Sequence, residues 1–370
     1  MWIYLIIIFS IYFVGLLLLI MGWQRVGQPR KVSSAQPFVS VVVAVRNEAE
    51  TLPALLESLA KQSFSFTNFE VILIDDHSRD RTAEVIAKLM DKYPHLKIGT
   101  RQSNGIGKKQ ALTTGIEIAR GEIILTTDAD CQVPVNWIKE LIESFNPGTH
   151  LVVGCVRIQA DKTFFSKLQA MEFTSVIGIG LAMLGWKLPV MCNGASLAFT
   201  RQSFNEVHGY QGNFQIPSGD DEFLMRKILN KYPRSVTAVN GFDSIVSTQP
   251  LTSIHNFFQQ RLRWAGKWKV NDSLLAKVLA LFILLIQLAW LMMLLLFVFS
   301  SSPLLMIAIG IKLVLEGIFL WKIAQSFKQQ FDIRAFLALQ ILYPIYVISV
   351  GVLAQIKSYQ WKDRPASFYR

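Results

Sequence analysis

The chain has 370 residues, 52% of them hydrophobic and 17% charged, and carries a net charge of +11. Its apolar share exceeds the roughly 45–50% of ordinary globular domains, so part of the chain is expected in lipid and solvation by water alone is disfavoured. The basic excess comes without zinc-finger spacing, a basic helix or an aromatic-rich basic strand, which points to an anionic membrane surface and away from nucleic acid.

Residues 2–22 contain no charge. At about 1.5 Å per helical residue they match the ~30 Å hydrocarbon core of a bilayer. They lack the basic n-region and small-residue cleavage site of a signal peptide, so a membrane helix over 1–23 is expected. Arg25, Arg30 and Lys31 follow directly, and the positive-inside rule assigns them and the next section to the cytosol. Residues 38–45 form a Val-rich run of buried parallel-strand type, and 48–61 follow with Leu52, Leu55, Leu56 and Leu59 at helical spacing. Strand 70–75 and helix 80–92 repeat the unit; helix 108–119 and strand 122–127 continue it. This alternation implies an open, mostly parallel α/β sheet within a water-soluble section spanning 37–271.

Beyond it, residues 278–302 and 335–356 are free of charge, and 303–320 carries only Lys312 and Glu316. About three C-terminal membrane helices are therefore expected within 274–357, before a basic tail over 358–370, in an integral protein of the cell or inner membrane. Lys322, Lys328 and Arg334 suit a cytosolic loop. Lys357, Lys362, Arg364 and Arg370 contradict that topology unless one segment, such as that around Tyr343 and Pro344, is re-entrant or interfacial. Lys312 and Glu316, four apart, share a helix face and either line a path or form a structural pair. Residues 173–190 are apolar but punctuated by glycine, which fits an interfacial segment or domain core. Cys131, Cys155 and Cys192 are odd in number and widely spaced, suiting a reducing compartment and no disulfide framework.

In open parallel sheets, ligands gather beyond the carboxyl ends of the strands. Three polar clusters fall there: Arg46-Asn47-Glu48, Asp75-Asp76-His77-Ser78 and Asp128-Ala129-Asp130. A single acidic strand end is an ordinary turn; three together point to a site. No glycine-rich phosphate loop is present, since Gly105-Ile106-Gly107-Lys108-Lys109 lacks the spacing and follows no clear strand. Asp128 and Asp130, two apart in extended chain, face the same way and offer the hard oxygen ligands that Mg²⁺ or Mn²⁺ take. A solvated acidic turn is the plain alternative.

With Val41 to Glu48, Ile74 to Asp80, Gly107 to Leu112, Asp128-Ala129-Asp130, Gly219-Asp220-Asp221 and Gln260-Arg261-Leu262-Arg263-Trp264 in this order, the chain resembles family 2 glycosyltransferases of the GT-A fold. The resemblance implies a Rossmann-like, mostly parallel sheet flanked by one N-terminal and about three C-terminal transmembrane helices. It implies a UDP- or GDP-sugar donor, with Ala44 and Glu48 bordering the nucleoside, Asp75 or rather Asp76 accepting a bond from the base, and Lys108 near the diphosphate. Asp128 would contact the sugar nucleotide and Asp130, with Asp128, the Mg²⁺ or Mn²⁺. Asp221 aligns with the general base, in an acidic loop before a helix over 223–232. Asp220, Gln260, Arg263 and Trp264 fall to the acceptor and diphosphate side. The sequence departs from the family where Asp220 replaces Glu, Phe223 an acid and Thr113 Asn. The reading is an inverting, metal-dependent transfer to a membrane-proximal lipid or growing polysaccharide. The alternative is a non-catalytic nucleotide-sugar-binding subunit regulating a partner synthase.

Overall fold

The computed structural model describes residues 2–26, 37–239, 241–266, 273–300, 302–356, 359–361 and 364–366. Arg30, Lys31, Lys357, Lys362 and Arg370, which carried the topology expectation, and the boundary at 271 lie outside them.

Helix α1 (Trp2–Arg25) leads to β1 (Val39–Val45), α2 (Leu52–Leu59), β2 (Phe69–Asp75), α3 (Thr82–Lys92), β3 (Ile98–Gln102), α4 (Lys108–Ile118) and β4 (Ile123–Thr126). Then come β5 (Cys131–Gln132), α5 (Trp137–Glu143), β6 (Leu151–Val153), β7 (Val156–Ile158), α6 (Phe164–Gly185), β8 (Leu197–Thr200), α7 (Arg201–Glu206) and α8 (Asp220–Lys231). The remainder is β9 (Val236–Ala238), β10 (Val246–Thr248), α9 (Ile254–Gly266), α10 (Leu274–Ser300), α11 (Pro303–Ser326), α12 (Ile333–Ile356), β11 (Tyr359–Trp361) and β12 (Arg364–Ala366).

The main sheet runs β3-β2-β1-β4-β8-β6-β9. β1 is an interior strand, with Val39, Val41, Val42, Val43 and Val45 buried, as β-branched side chains pack well on both faces of a covered parallel strand. β2 and β4 flank it in parallel, and β8 is antiparallel to β4. The carboxyl ends of β1, β2 and β4 therefore open on one edge. A second sheet runs β5-β10-β7, and its strand β5 follows Asp128 and Asp130 directly in the chain.

Two expectations change. A strand, β3, does precede the Gly105–Lys109 stretch; it is exposed along most of its length, so it lacks the apolar signature of its neighbours. The acidic triplet Asp220-Asp221-Glu222 is the first turn of α8, which starts at Asp220, with Gly219 turning into it at φ +78°. That left-handed conformation favours glycine.

Among the described residues, five helices are long and apolar enough to cross a membrane: α1, α6, α10, α11 and α12. α6, whose apolar stretch was open to two readings, is the most buried of them, packed against α1, α11 and α12. Gly22 and Gly185 bring the backbones of α1 and α6 together, since a Cβ on Gly185 would strike the Gly22 carbonyl. Lys312 pairs with Glu316 at 2.8 Å inside the bundle, and Gln340 of α12 bonds to both, accepting from Lys312 at 2.7 Å and donating to Glu316 at 3.0 Å. Neither Lys312 nor Glu316 lines the large cavity described next, which favours the structural reading of the pair.

Candidate active site

One cavity of about 1370 Å³ gathers Ala44, Glu48, Asp76, Lys108, Asp128, Asp130, Asp220, Asp221, Gln260, Arg263 and Trp264. Asp75 does not line it. Its Oδ1 accepts from the Ser78 amide at 3.0 Å and hydroxyl at 2.5 Å, so it caps the turn that Asp76 uses to reach the cavity. Asp76 is buried and accepts at Oδ1 from the Gly107 amide at 3.0 Å, tying the end of β2 to the start of α4. Arg46 donates to the carbonyls of Asp76 and His77 at 2.9 and 2.7 Å, locking the ends of β1 and β2 together. Asn47 and His77, in this same corner, take the left-handed region at φ 51° and 58°. Non-glycine residues are uncommon there and cluster at functional sites.

Lys108, at the first position of α4, reaches across to two acids. Its Nζ lies 2.7 Å from Asp128 Oδ1 and 3.0 Å from Asp220 Oδ2. Burial works to lower the Lys108 pKa, but Asp128 and then Asp220 outweigh it and hold it well above the usual lysine value. Burial likewise opposes the Asp220 carboxylate, and Lys108 prevails, holding its pKa below the ordinary value. Lys109 faces the other way. It is buried and donates to the carbonyls of Asn213, Ile216 and Ser218, fixing the loop that delivers Gly219.

Asp221 is half-buried, and its Oδ2 accepts from the Gly194 amide at 3.0 Å. Its position in the first turn of α8 places its charge at the positive end of the helix. Ser218 Oγ donates to the Arg263 carbonyl at 3.2 Å, joining the α8 turn to α9, which carries Gln260, Arg263 and Trp264.

Asp128, Asp130 and Cys131 can bring one ligand atom each to within 4.8 Å of one another. The two carboxylates are the hard donors a Mg²⁺ or Mn²⁺ site takes, and Lys108 bonds only one oxygen of Asp128, so the pair fits such an ion. Cys131 is the poorer donor, since sulfur is soft and such ions prefer oxygen; burial first, then Asp130 and Asp128, push its thiol well above the usual range.

Sequence reasoning missed the second half of the cavity. Glu172 of α6 meets Arg261 of α9 through two buried bonds, one of them 3.2 Å from Nε to Oε1. Tyr346 of α12 donates to the same Oε1 at 3.4 Å, and the Arg261 guanidinium lies between the Phe257 and Trp264 rings at 4.4 and 4.3 Å. One signal was available: Glu172 is an acid inside the apolar stretch of α6, and such residues seek a partner.

The family model described as Glycosyl transferase family 2 matches residues 40–209, a stretch that holds β1, β2, β4 and the acidic pair at Asp128 and Asp130. Residues 40–209 belong to glycosyl transferase family 2. Among similar proteins, a β-monoglucosyldiacylglycerol synthase of Nostoc sp. is 28% identical over 64% of this chain and 50% of its own length. An undecaprenyl-phosphate 4-deoxy-4-formamido-L-arabinose transferase of Pectobacterium atrosepticum is 36% identical over 38% of this chain and 42% of its own. The chain thus spans about half the length, or less, of these curated relatives. A mannosyltransferase of Pyrobaculum calidifontis, solved in complex with GDP-Man and Mn²⁺, superposes with a TM-score of 0.62 at 18% identity, covering 95% of this chain and 98% of that one. That likeness is one of fold: the family 2 region is a GT-A sheet with apolar helices at both ends of the chain.

Proposed function

We propose that the chain is an inverting, metal-dependent glycosyltransferase. On this reading it moves a sugar from a nucleoside diphosphate sugar to the hydroxyl of a membrane-proximal acceptor, with the catalytic face in the cytosol. The observation that carries it is the convergence of Asp76, Lys108, Asp128, Asp130 and Asp221 on one cavity bounded by membrane-type helices.

Asp76 receives the base, while Ala44 and Glu48 border the nucleoside. Lys108 has three N–H donors and two carboxylate partners, so the third is free for a diphosphate oxygen. Asp130, with Asp128, would hold Mg²⁺ or Mn²⁺, which when bound would supply positive charge against the leaving diphosphate. Asp221 takes the proton of the attacking hydroxyl as its oxygen closes on the anomeric carbon. The Gly194 amide, donating to Oδ2 at 3.0 Å, and the Glu222 amide, donating to Oδ1 at 2.7 Å, fix the carboxylate's aim. Retention of the whole acidic set motivates catalysis over a purely regulatory subunit.

Support also comes from the Pyrobaculum calidifontis mannosyltransferase of the same fold, whose complex holds GDP-Man and Mn²⁺. Purified full chain, supplied with a panel of UDP- and GDP-sugars, Mn²⁺ and a membrane-lipid extract, is expected to release nucleoside diphosphate from at least one donor and to stop on chelation. Binding without release across the panel would favour the regulatory reading.

A further inference from the structure

We propose that the acceptor is an uncharged lipid alcohol, which enters sideways from the bilayer and lays its hydrocarbon chain between α10 and α12. The inference rests on the transfer reading above.

The cavity does not end at Asp221. From Trp264 it continues between Ala280, Ile283 and Leu284 of α10 and Val347, Val350 and Gly351 of α12. Its volume of about 1370 Å³ exceeds the roughly 300–1,000 Å³ of single-ligand pockets, leaving room for a second substrate beside the donor. The wall chemistry selects that substrate. Sugars need polar groups and aromatic faces, whereas this limb is aliphatic, with Tyr343 and Tyr346 at its inner end. Leu281 and Val352 line the same cavity and are 58% and 57% exposed on the surface of helices apolar enough to lie in lipid, so the limb opens towards hydrocarbon. At Gly351 an added Cβ meets no atom within 4 Å, which marks open space along that wall.

Charge separates an alcohol from a lipid phosphate. Among the described residues, every Lys and Arg lining the cavity is already engaged: Arg46 with two carbonyls, Lys108 with Asp128 and Asp220, Arg261 with Glu172, and Arg263 is not free either. The donor diphosphate claims what capacity Lys108 retains. A second phosphate would share the cavity with Glu172 and, among the described residues, would find no uncommitted Lys or Arg. A hydroxyl asks only for a base. In the transfer its oxygen bonds to the anomeric carbon, the bond from that carbon to the β-phosphate oxygen breaks with its electron pair going to the diphosphate, and the proton passes to Asp221.

Full chain in phosphatidylcholine vesicles, with Mn²⁺ and labelled donor sugars, is given dioleoylglycerol or oleyl alcohol, a polyprenyl phosphate, or a soluble oligosaccharide. We expect label in the organic phase, uncharged on anion exchange, only with a lipid alcohol. Gly351→Trp, which fills the limb, should lower that transfer at least tenfold, while Val314→Trp on the lipid-facing side of α11 should not. Label appearing only on polyprenyl phosphate or on oligosaccharide, or full transfer by a well-folded Gly351→Trp, would overturn the assignment. Nucleoside diphosphate release without lipid label would refute the lipid alcohol alone. No release with any acceptor would remove the transfer reading and this inference with it.

Discussion

The two ends of the cavity are built on opposite terms. At the sheet end, Asp76, Lys108, Asp128, Asp220 and Asp221 stand on strand ends and helix starts, and charge is balanced by charge across a few ångströms. At the membrane end, α10 and α12 offer aliphatic walls, and the nearby charges, Glu172 and Arg261, neutralise each other. Chemistry at a sugar's anomeric carbon needs particular groups at particular places. Accommodating an apolar partner needs only shape and the absence of charge.

Changing each end separately sharpens that contrast. Asp221→Asn removes the proposed base without adding bulk and should cut transfer about a thousandfold, within the roughly 10²–10⁴-fold range of general base catalysis, while nucleotide binding by calorimetry stays intact. Glu172→Gln strands a buried guanidinium and should cost about 3 kcal/mol or more, read as a lowered melting temperature in detergent. If the variant melted like the parent, the membrane end would not depend on that pair.

Lys108→Met should raise the donor KM about tenfold, in line with the ~1.5–3 kcal/mol of a charge-assisted bond. It also tests the pH behaviour of the acid cluster. Asp220 has a depressed pKa in the folded chain, so its pairing stabilises above the ordinary carboxylate range and is lost as pH falls through the lowered value. The stability gap between parent and Lys108→Met should therefore be full at neutral pH and close below about pH 4. Cys131→Ser should change activity less than threefold, because soft sulfur is a poor donor to Mg²⁺ or Mn²⁺; a large loss would bring Cys131 into the metal site.

The sheet end was largely legible in the sequence. Val-rich runs fix central strands whatever surrounds them, and acids at three strand ends need no tertiary information to be noticed. β3 was not legible because an exposed edge strand carries no apolar run. The start of α8 was misread because Asp220 and Asp221 look like loop residues, although acids in a first turn are stabilised by the helix dipole. Asp75 and Asp76 are adjacent acids, and only the backbone turn decides which one faces the cavity. The membrane end was not legible at all: Ile283 and Gly351 are residues any lipid-exposed helix would carry, and only the packing of α10 against α12 makes them a wall.

The anomeric configuration of the product tests the central claim most directly. A single displacement with Asp221 as base predicts a glycoside of configuration opposite to the donor, read from the coupling of its anomeric proton by NMR. A product that keeps the donor configuration would contradict it.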